Sequence, residues 1–344
     1  MSDDDAFLRA IADAPDDDAP RLVYADWLDE HGQPDRAEFI RLLCSGEEPA
    51  VLERLREVAP SLDSTWAARV SPEFPRVHPI YVVIREVARG ALTTVLEATA
   101  THPKMRGRRV AVRTLNDGQS ARRFANTCQI HAALGDELQV PRLFDVGELE
   151  HIPYAIRKFI DGDDLLNNIR GRTVAPDDLV RIVTTVATIL NAMHRLGVIH
   201  GTVHPRHLLQ DRDGAVWVIG FGEMPPAGLV MGNPLHLALE QFDRWTGPVG
   251  PATDVYQLAE TAAWLLAGRH PYQDFRPPDD LLAAKRSEDG WRTGALRNLS
   301  EPVAAVFRRA LAPDPAVRYP TAGEFAAALA NAFQERPRSR WRFW

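Results

Sequence analysis

The 344-residue chain predicts an α+β protein in which a small all-α module precedes a β-rich segment and then a longer helical one. Three observations carry this expectation. Residues 4–44 hold apolar side chains at helical spacing between proline and glycine breaks. Tyr81–Val87, Thr93–Thr99 and Arg109–Arg113 alternate or cluster β-branched residues, as antiparallel strands do. From Pro176 onward, Leu179, Ile182, Val183, Val186, Ile189, Leu190 and Met193 recur with the helical period.

Each element follows in order. The module at 1–48 reads as three short helices whose inward faces are Phe7, Leu8 and Ile11, then Leu22, Val23, Trp27 and Leu28, then Phe39, Ile40 and Leu43. Pro15, Pro20, His31-Gly32 and Pro34 punctuate them. Residues 49–79 read as a connector, helical at 49–58 and 62–70, that ends in the proline-spaced stretch from Ser71 to Pro79. The β-rich lobe, 80–162, takes the three strands, a helix at about 119–134 and strands near 142–148 and 153–160. The helical lobe, 163–335, is broken by one hairpin at Asp213-Gly214. A basic and aromatic tail, 336–344, closes the chain.

Composition narrows the function classes. With 45% hydrophobic and 25% charged residues, the chain is of ordinary globular type. The opening Met-Ser-Asp-Asp-Asp lacks the features of a secretion signal, and no apolar run reaches membrane-spanning length, so a cytoplasmic protein with no membrane span is expected. Cys44 and Cys128 lie far apart and suggest neither a disulfide framework nor a thiolate metal site. The net charge of −7 is concentrated at the start: residues 1–45 carry ten Asp and two Glu against four Arg, a balance of −8. That argues against nucleic acid, whose phosphates the module would repel, and otherwise reads as a solvated helical surface, although a protein partner is expected.

The stretch Val198-Ile199-His200-Gly201-Thr202-Val203-His204-Pro205-Arg206-His207, followed by Ile219-Gly220-Phe221-Gly222, is laid out at the spacing of a kinase catalytic loop and metal-binding motif. Asp254-Val255-Tyr256-Gln257-Leu258, Ala238-Leu239-Glu240, Gly268-Arg269-His270-Pro271-Tyr272, Arg318 and Glu324-Phe325 match further landmarks. Over about residues 80–333 the chain therefore resembles the bacterial serine/threonine protein kinases. The resemblance implies a two-lobed protein-kinase-like fold, with His200 bracing backbone, Phe221 in its motif position, Asp254 tying down the catalytic loop and Glu240 pairing with Arg318. Residues 4–44 resemble a small bacterial repeat-companion domain through Arg21-Leu22-Val23-Tyr24-Ala25-Asp26-Trp27-Leu28 and its flanks; that family implies no chemistry.

The functional positions depart from the pattern. Phosphoryl transfer needs a carboxylate to orient the attacking hydroxyl and two ligands for magnesium. Thr202 stands at the base, His207 at the asparagine ligand and Gly220 at the metal-binding aspartate, and His204 is a further degenerate position of the loop. The phosphate-covering loop, Ala88-Arg89-Gly90-Ala91-Leu92-Thr93-Thr94-Val95, keeps one glycine, Gly90, of three. Arg113 replaces the third-strand lysine, and a forked, planar guanidinium is not a substitute for a point charge. Thr127 replaces the glutamate that would pair with it. Arg157 occupies the position that gates the adenine pocket, where it is expected to turn outward or take a partner across the cleft. Val95, Ala111 and Leu209 fall on the adenine-sandwiching positions and remain apolar, which suits either a nucleotide pocket or plain core packing.

His194, His200, His204 and His207 invite a metal reading, but the residues around them supply no carboxylate or cysteine, and no metal site is expected. Asp211 and Asp213 read as turn residues. Gly201 replaces the arginine that receives an activation-loop phosphate, and residues 220–240 contain no Ser, Thr or Tyr. The sequence thus predicts a catalytically inactive kinase-like scaffold with no cofactor, for which magnesium is unsuited and ATP doubtful. Two alternatives stand beside it: a phosphotransferase of weak or altered chemistry, and a nucleotide sensor without turnover.

Overall fold

The computed structural model describes residues 3–46, 48–71, 81–90, 92–101, 105–116, 118–134, 138–149, 151–169, 171–221, 234–242, 246–276 and 279–334. The linker at 72–79, residues 222–233 and the tail at 336–344 lie outside them. The chain divides into two compact units, Met1–Ala125 with Arg142–Phe159, and Asn126–Pro141 with Ile160–Trp344. The fold is α+β, with a β-sheet lobe, a helical lobe and helices at the N-terminus.

The first unit begins with α1 (Asp3–Asp13), α2 (Ala19–Glu30), α3 (Pro34–Leu43), α4 (Pro49–Val58) and α5 (Ser64–Val70). Proline at the first helical position starts α3 and α4, where its missing N–H would have had no partner anyway. The Asp63 carboxylate caps α5 by accepting from the Trp66 amide at 2.8 Å. In α2 the buried set is Arg21, Tyr24, Ala25 and Leu28, not the one expected from apolar residues: Leu22 and Val23 are 41% and 57% exposed. The i, i+3, i+4, i+7 stripe runs through an arginine. Its guanidinium reaches the carbonyls of Val70, Asp17 and Pro15 at 3.0, 2.8 and 2.8 Å, so a charge occupies a core position with its donors satisfied.

Three strands follow, β1 (Tyr81–Arg89), β2 (Thr93–Ala100) and β3 (Arg109–Leu115); then α6 (Ala121–Leu134), which runs from one unit into the other; then β4 (Leu143–Leu149) and β5 (Ile152–Lys158). The strands form an antiparallel sheet in the order β1-β2-β3-β5-β4. Its two faces bury different partners. Tyr81, Val83, Leu96, Ala98, Val110, Val112 and Ile156 form one cluster. Val82 and Ile84 of β1 point the other way and join the core of the N-terminal helices, including Leu52, Leu55, Val58 and Trp66. The stretch read as a connector, α4 and α5, thus shares one core with α1–α3 and with the sheet. A buried carboxylate fastens this junction: Glu97 of β2 is fully buried and takes Arg56 of α4 at 2.7 Å, Arg85 at 3.0 Å and Arg109 at 3.0 Å.

The second unit contains β6 (Gly162–Asp164), α7 (Leu165–Ile169), α8 (Pro176–Arg195), β7 (Leu208–Asp211), β8 (Val216–Val218), α9 (Leu239–Phe242), α10 (Pro251–Ala267), α11 (Asp279–Arg286), α12 (Glu301–Ala310) and α13 (Ala322–Gln334). Strands β6, β7 and β8 form a small antiparallel sheet. Helix α8 starts with Pro176, Asp177 and Asp178 and ends with His194 and Arg195, charges matched to the helix dipole, and it buries the apolar series read from sequence. Helix α10 is buried on nearly every face and stops at Gly268, φ +71°, where a Cβ would lie 2.5 Å from the Gly171 carbonyl oxygen. Only glycine fits there.

Candidate active site

In the second unit the catalytic-loop residues sit on a rigid floor. Asp254, near the start of α10, accepts from the amides of His200 at 2.9 Å and Gly201 at 2.7 Å, and His194 Nε2 lies 2.8 Å from the same carboxylate. His194 therefore has the carboxylate contact that the sequence reading denied it. Gln257 and Gln241 both donate to the Gly201 carbonyl, at 3.0 and 2.9 Å, and Gln257 Oε1 accepts from the Val203 amide. His200 Nε2 donates to the Ile219 carbonyl at 3.0 Å. Phe221 is buried, with its ring edge-on to those of His131 and His200. Further along the chain, Glu240 and Arg318 form a fully buried two-pronged pair at 2.7 and 3.0 Å, and Thr253 adds a hydroxyl donor at 2.8 Å. Such a pair is favourable only while both ends are present and hydrogen-bonded.

On this floor Thr202 bonds to both Gly220 and His207, and the His207 ring packs against Gly220. The Thr202 hydroxyl donates to the Gly220 carbonyl at 3.0 Å, and His207 Nδ1 donates to the Thr202 carbonyl at 2.7 Å. Gly220 adopts φ +80°, and a Cβ built on it would lie 2.5–2.6 Å from the His207 ring. The imidazole therefore fills the space into which any side chain at 220 would grow. His204 stacks beside it, 4.0 Å between ring centroids, and burial together with the neighbouring histidines pushes its protonation well below the usual imidazole range. Asp211 accepts from the amides of Asp213 and Ala215 and from the Trp217 indole, so its carboxylate is committed to the β7–β8 turn.

The first unit holds the remaining candidates. Cross-strand register sets Val95 opposite Arg113, and Ala111 opposite both Glu97 and Arg157. Directly paired residues share a face, so the two apolar sandwich positions lie among arginines on one side of the sheet. Arg113 is buried, donates to the Thr93 hydroxyl at 3.2 Å and stacks over the Phe124 ring at 5.3 Å. Arg157 is buried too, so it does not turn to solvent. In the β1–β2 hairpin the Gly90 amide donates to the Thr93 carbonyl at 2.9 Å, while Asn116 holds the turn through the carbonyls of Gly90 and Leu92. The one retained glycine thus has its amide engaged within the turn. Leu209 lies on β7 in the second unit, and Thr127 is buried on α6.

Two groups were missed from sequence. The Glu97 cluster left one faint signal, an acid inside the otherwise uncharged strand Thr93–Ala100. The other brings His236, Glu260 and His270 together, the single group among the described residues with metal-ligand spacing. No local pattern links its members.

The catalytic-loop frame, its aspartate tether and the buried acid–arginine pair define a protein kinase domain. Over residues 81–326 the sequence matches the family described as protein tyrosine and serine/threonine kinase, and the chain belongs to it. Among curated proteins it is similar to serine/threonine-protein kinase PknE of Mycobacterium tuberculosis, 29% identical over 294 residues that make up 80% of this chain and 50% of the relative. Serine/threonine-protein kinase F of Synechocystis is 30% identical over 53% of this chain and 37% of its own length. PrkC of Bacillus subtilis is 24% identical over 75% of this chain and 41% of its own. The chain spans half or less of these relatives. No helix among the described residues is long and apolar enough to cross a membrane.

Proposed function

We propose that this kinase-family chain does not transfer phosphate and acts instead as a pseudokinase, a scaffold that binds a protein partner. The observation that carries this reading is the mutual closure of Thr202, His207 and Gly220. A positioned base contributes about 10²–10⁴ in rate, and the Thr202 hydroxyl, of high pKa and already donating to Gly220, supplies none of it. Magnesium at the phosphates needs oxygen ligands that an imidazole packed against a glycine does not offer. Arg113, stacked over Phe124, and the closed hairpin at Gly90 point the same way. The reading takes no magnesium. The exposed acids Asp16, Asp17 and Glu30 of α2 and its flank suit a basic protein surface, whereas Asp26 and Asp29 are already held by Arg41 at 2.8 and 2.6 Å.

The relatives' names favour a second reading, a serine/threonine kinase of altered chemistry. Prolonged incubation of the purified protein with labelled ATP and magnesium or manganese separates the two. The expected outcome is no label on the protein itself or on generic substrates above a heat-killed control. Incorporation that depends on the divalent ion would reject the scaffold reading. A thermal shift with adenosine and ATP, each with and without the ion, reports separately on nucleotide binding without turnover.

A further inference from the structure

We propose that His236, Glu260 and His270 form a zinc site in the helical lobe. The three residues come from a 3-10 turn at Pro234–His236, from α10 and from the loop that follows it, and their ligand atoms lie within 4.8 Å of one another. Two imidazoles and a carboxylate are a donor set that zinc favours. Glu260 Oε2 faces both rings, 3.9 Å from His236 Nδ1 and 3.5 Å from His270 Nε2. Its second oxygen, Oε1, is held by Lys285 at 2.6 Å, the arrangement in which a ligating carboxylate is itself hydrogen-bonded.

An independent observation points to a ligand. His270 is 3% exposed, and its Nε2, 3.5 Å from Glu260 Oε2, makes no hydrogen bond of good geometry. A buried polar nitrogen in that state is unfavourable unless something else satisfies it. The rings are also held in place: His236 stacks between Trp264 and His204, at 5.2 and 5.0 Å between centroids, and His270 meets Trp264 edge-on at 4.9 Å.

One feature opposes the ion and one constrains it. Lys285 brings a like charge, but on the far oxygen of Glu260 and over the rings of Tyr272 and Tyr256, at 4.3 and 5.0 Å. The Tyr272 amide donates to His270 Nδ1 at 3.1 Å, so the neutral metal-free ring carries its proton on Nε2. On binding, Nε2 gives its lone pair to zinc and the ring proton moves to Nδ1, where it faces the Tyr272 N–H, so that both buried donors are left without an acceptor. Each such donor lowers the affinity by roughly 5- to 150-fold. Apparent zinc affinities of structural sites, on the order of 10⁷ M⁻¹ or more, leave room for that cost. With all three ligands largely enclosed, the ion acts as a staple that ties the segment leading into Glu240 to α10, rather than as a catalyst.

The test uses full-length protein stripped with a chelator, then titrated with Zn²⁺ against a chromophoric competitor and with Co²⁺ by visible absorption. One equivalent of Zn²⁺, four-coordinate Co²⁺ bands and a thermal shift with Zn²⁺ but not Mg²⁺ are expected. His236→Ala, at a half-buried ring, should lower the affinity by more than the roughly 100-fold that loss of an orienting partner causes, with an unchanged circular dichroism spectrum. Equal binding by wild type and H236A would overturn the proposal. X-ray absorption of the wild-type protein needs no variant: two imidazole nitrogens with a carboxylate oxygen support the site, and a shell without imidazole rejects it.

Discussion

At Gly220 two constraints act on one backbone position. It lacks the carboxylate of an active kinase, and its φ of +80° and the adjacent His207 ring leave no room for one to be restored. A side chain forced into that backbone region is strained by about 1–3 kcal/mol before any overlap with the ring. Gly220→Asp should therefore lower stability by at least that amount, read from urea denaturation, and should not restore activity while Thr202 occupies the base position. His207→Asn removes the ring, so the double variant G220D/H207N should be more stable than the sum of the two single losses predicts. Strict additivity would show that the imidazole does not fill the space.

At the scale of elements, a charge decides how helices meet a sheet. Glu97 would be raised by burial, but the bond from Arg56 and the charges of Arg109, Arg56 and Arg85 outweigh that and hold its carboxyl below the usual range. A depressed folded-state value means that the pair's stabilisation is complete above the ordinary carboxylate value of 4.5 and is lost as pH falls through the folded one. Arg56→Met removes the α4 partner and should lower stability near pH 7 by about 1–3 kcal/mol. The gap between variant and wild type should close on acidification, as Glu97 is protonated in both. A gap independent of pH would assign the loss to packing. In α2, similarly, Arg21 takes a core position because three backbone carbonyls await it, which displaces Leu22 and Val23 to solvent.

For the whole molecule, the consequence is that the N-terminal helices belong to the folding unit of the sheet. Burying an aliphatic side chain contributes about 1.5–3 kcal/mol, so exposing Val82 and Ile84 by deleting residues 1–70 should lower the stability of the β-rich lobe by roughly 3–6 kcal/mol. Denaturation of the shortened chain beside the full one measures it, and an unchanged midpoint would mean that the two parts only touch. The acidic surface of α2 is therefore carried on the same body as the sheet.

Much of this was legible in the sequence, because it rests on local signals. Strand and helix periods, the proline starts of α3, α4 and α8, and the spacing from His200 to Gly220 are written in consecutive residues, and the family's motif positions named both ends of the Glu240–Arg318 pair. The phase of α2 was misread because hydrophobicity ranks an arginine as exposed, and only the arriving carbonyl of Val70, 49 residues away, makes it a core side chain. The same holds for Glu97 with Arg56, for the His207 ring over Gly220 and for His236, Glu260 and His270. Sequence by itself determined the family and the fold class, and set Thr202, His207 and Gly220 at the spacing of the loop. Tertiary structure alone decided what those side chains touch, because burial and pairing of charge depend on atoms that only folding brings within a few ångströms.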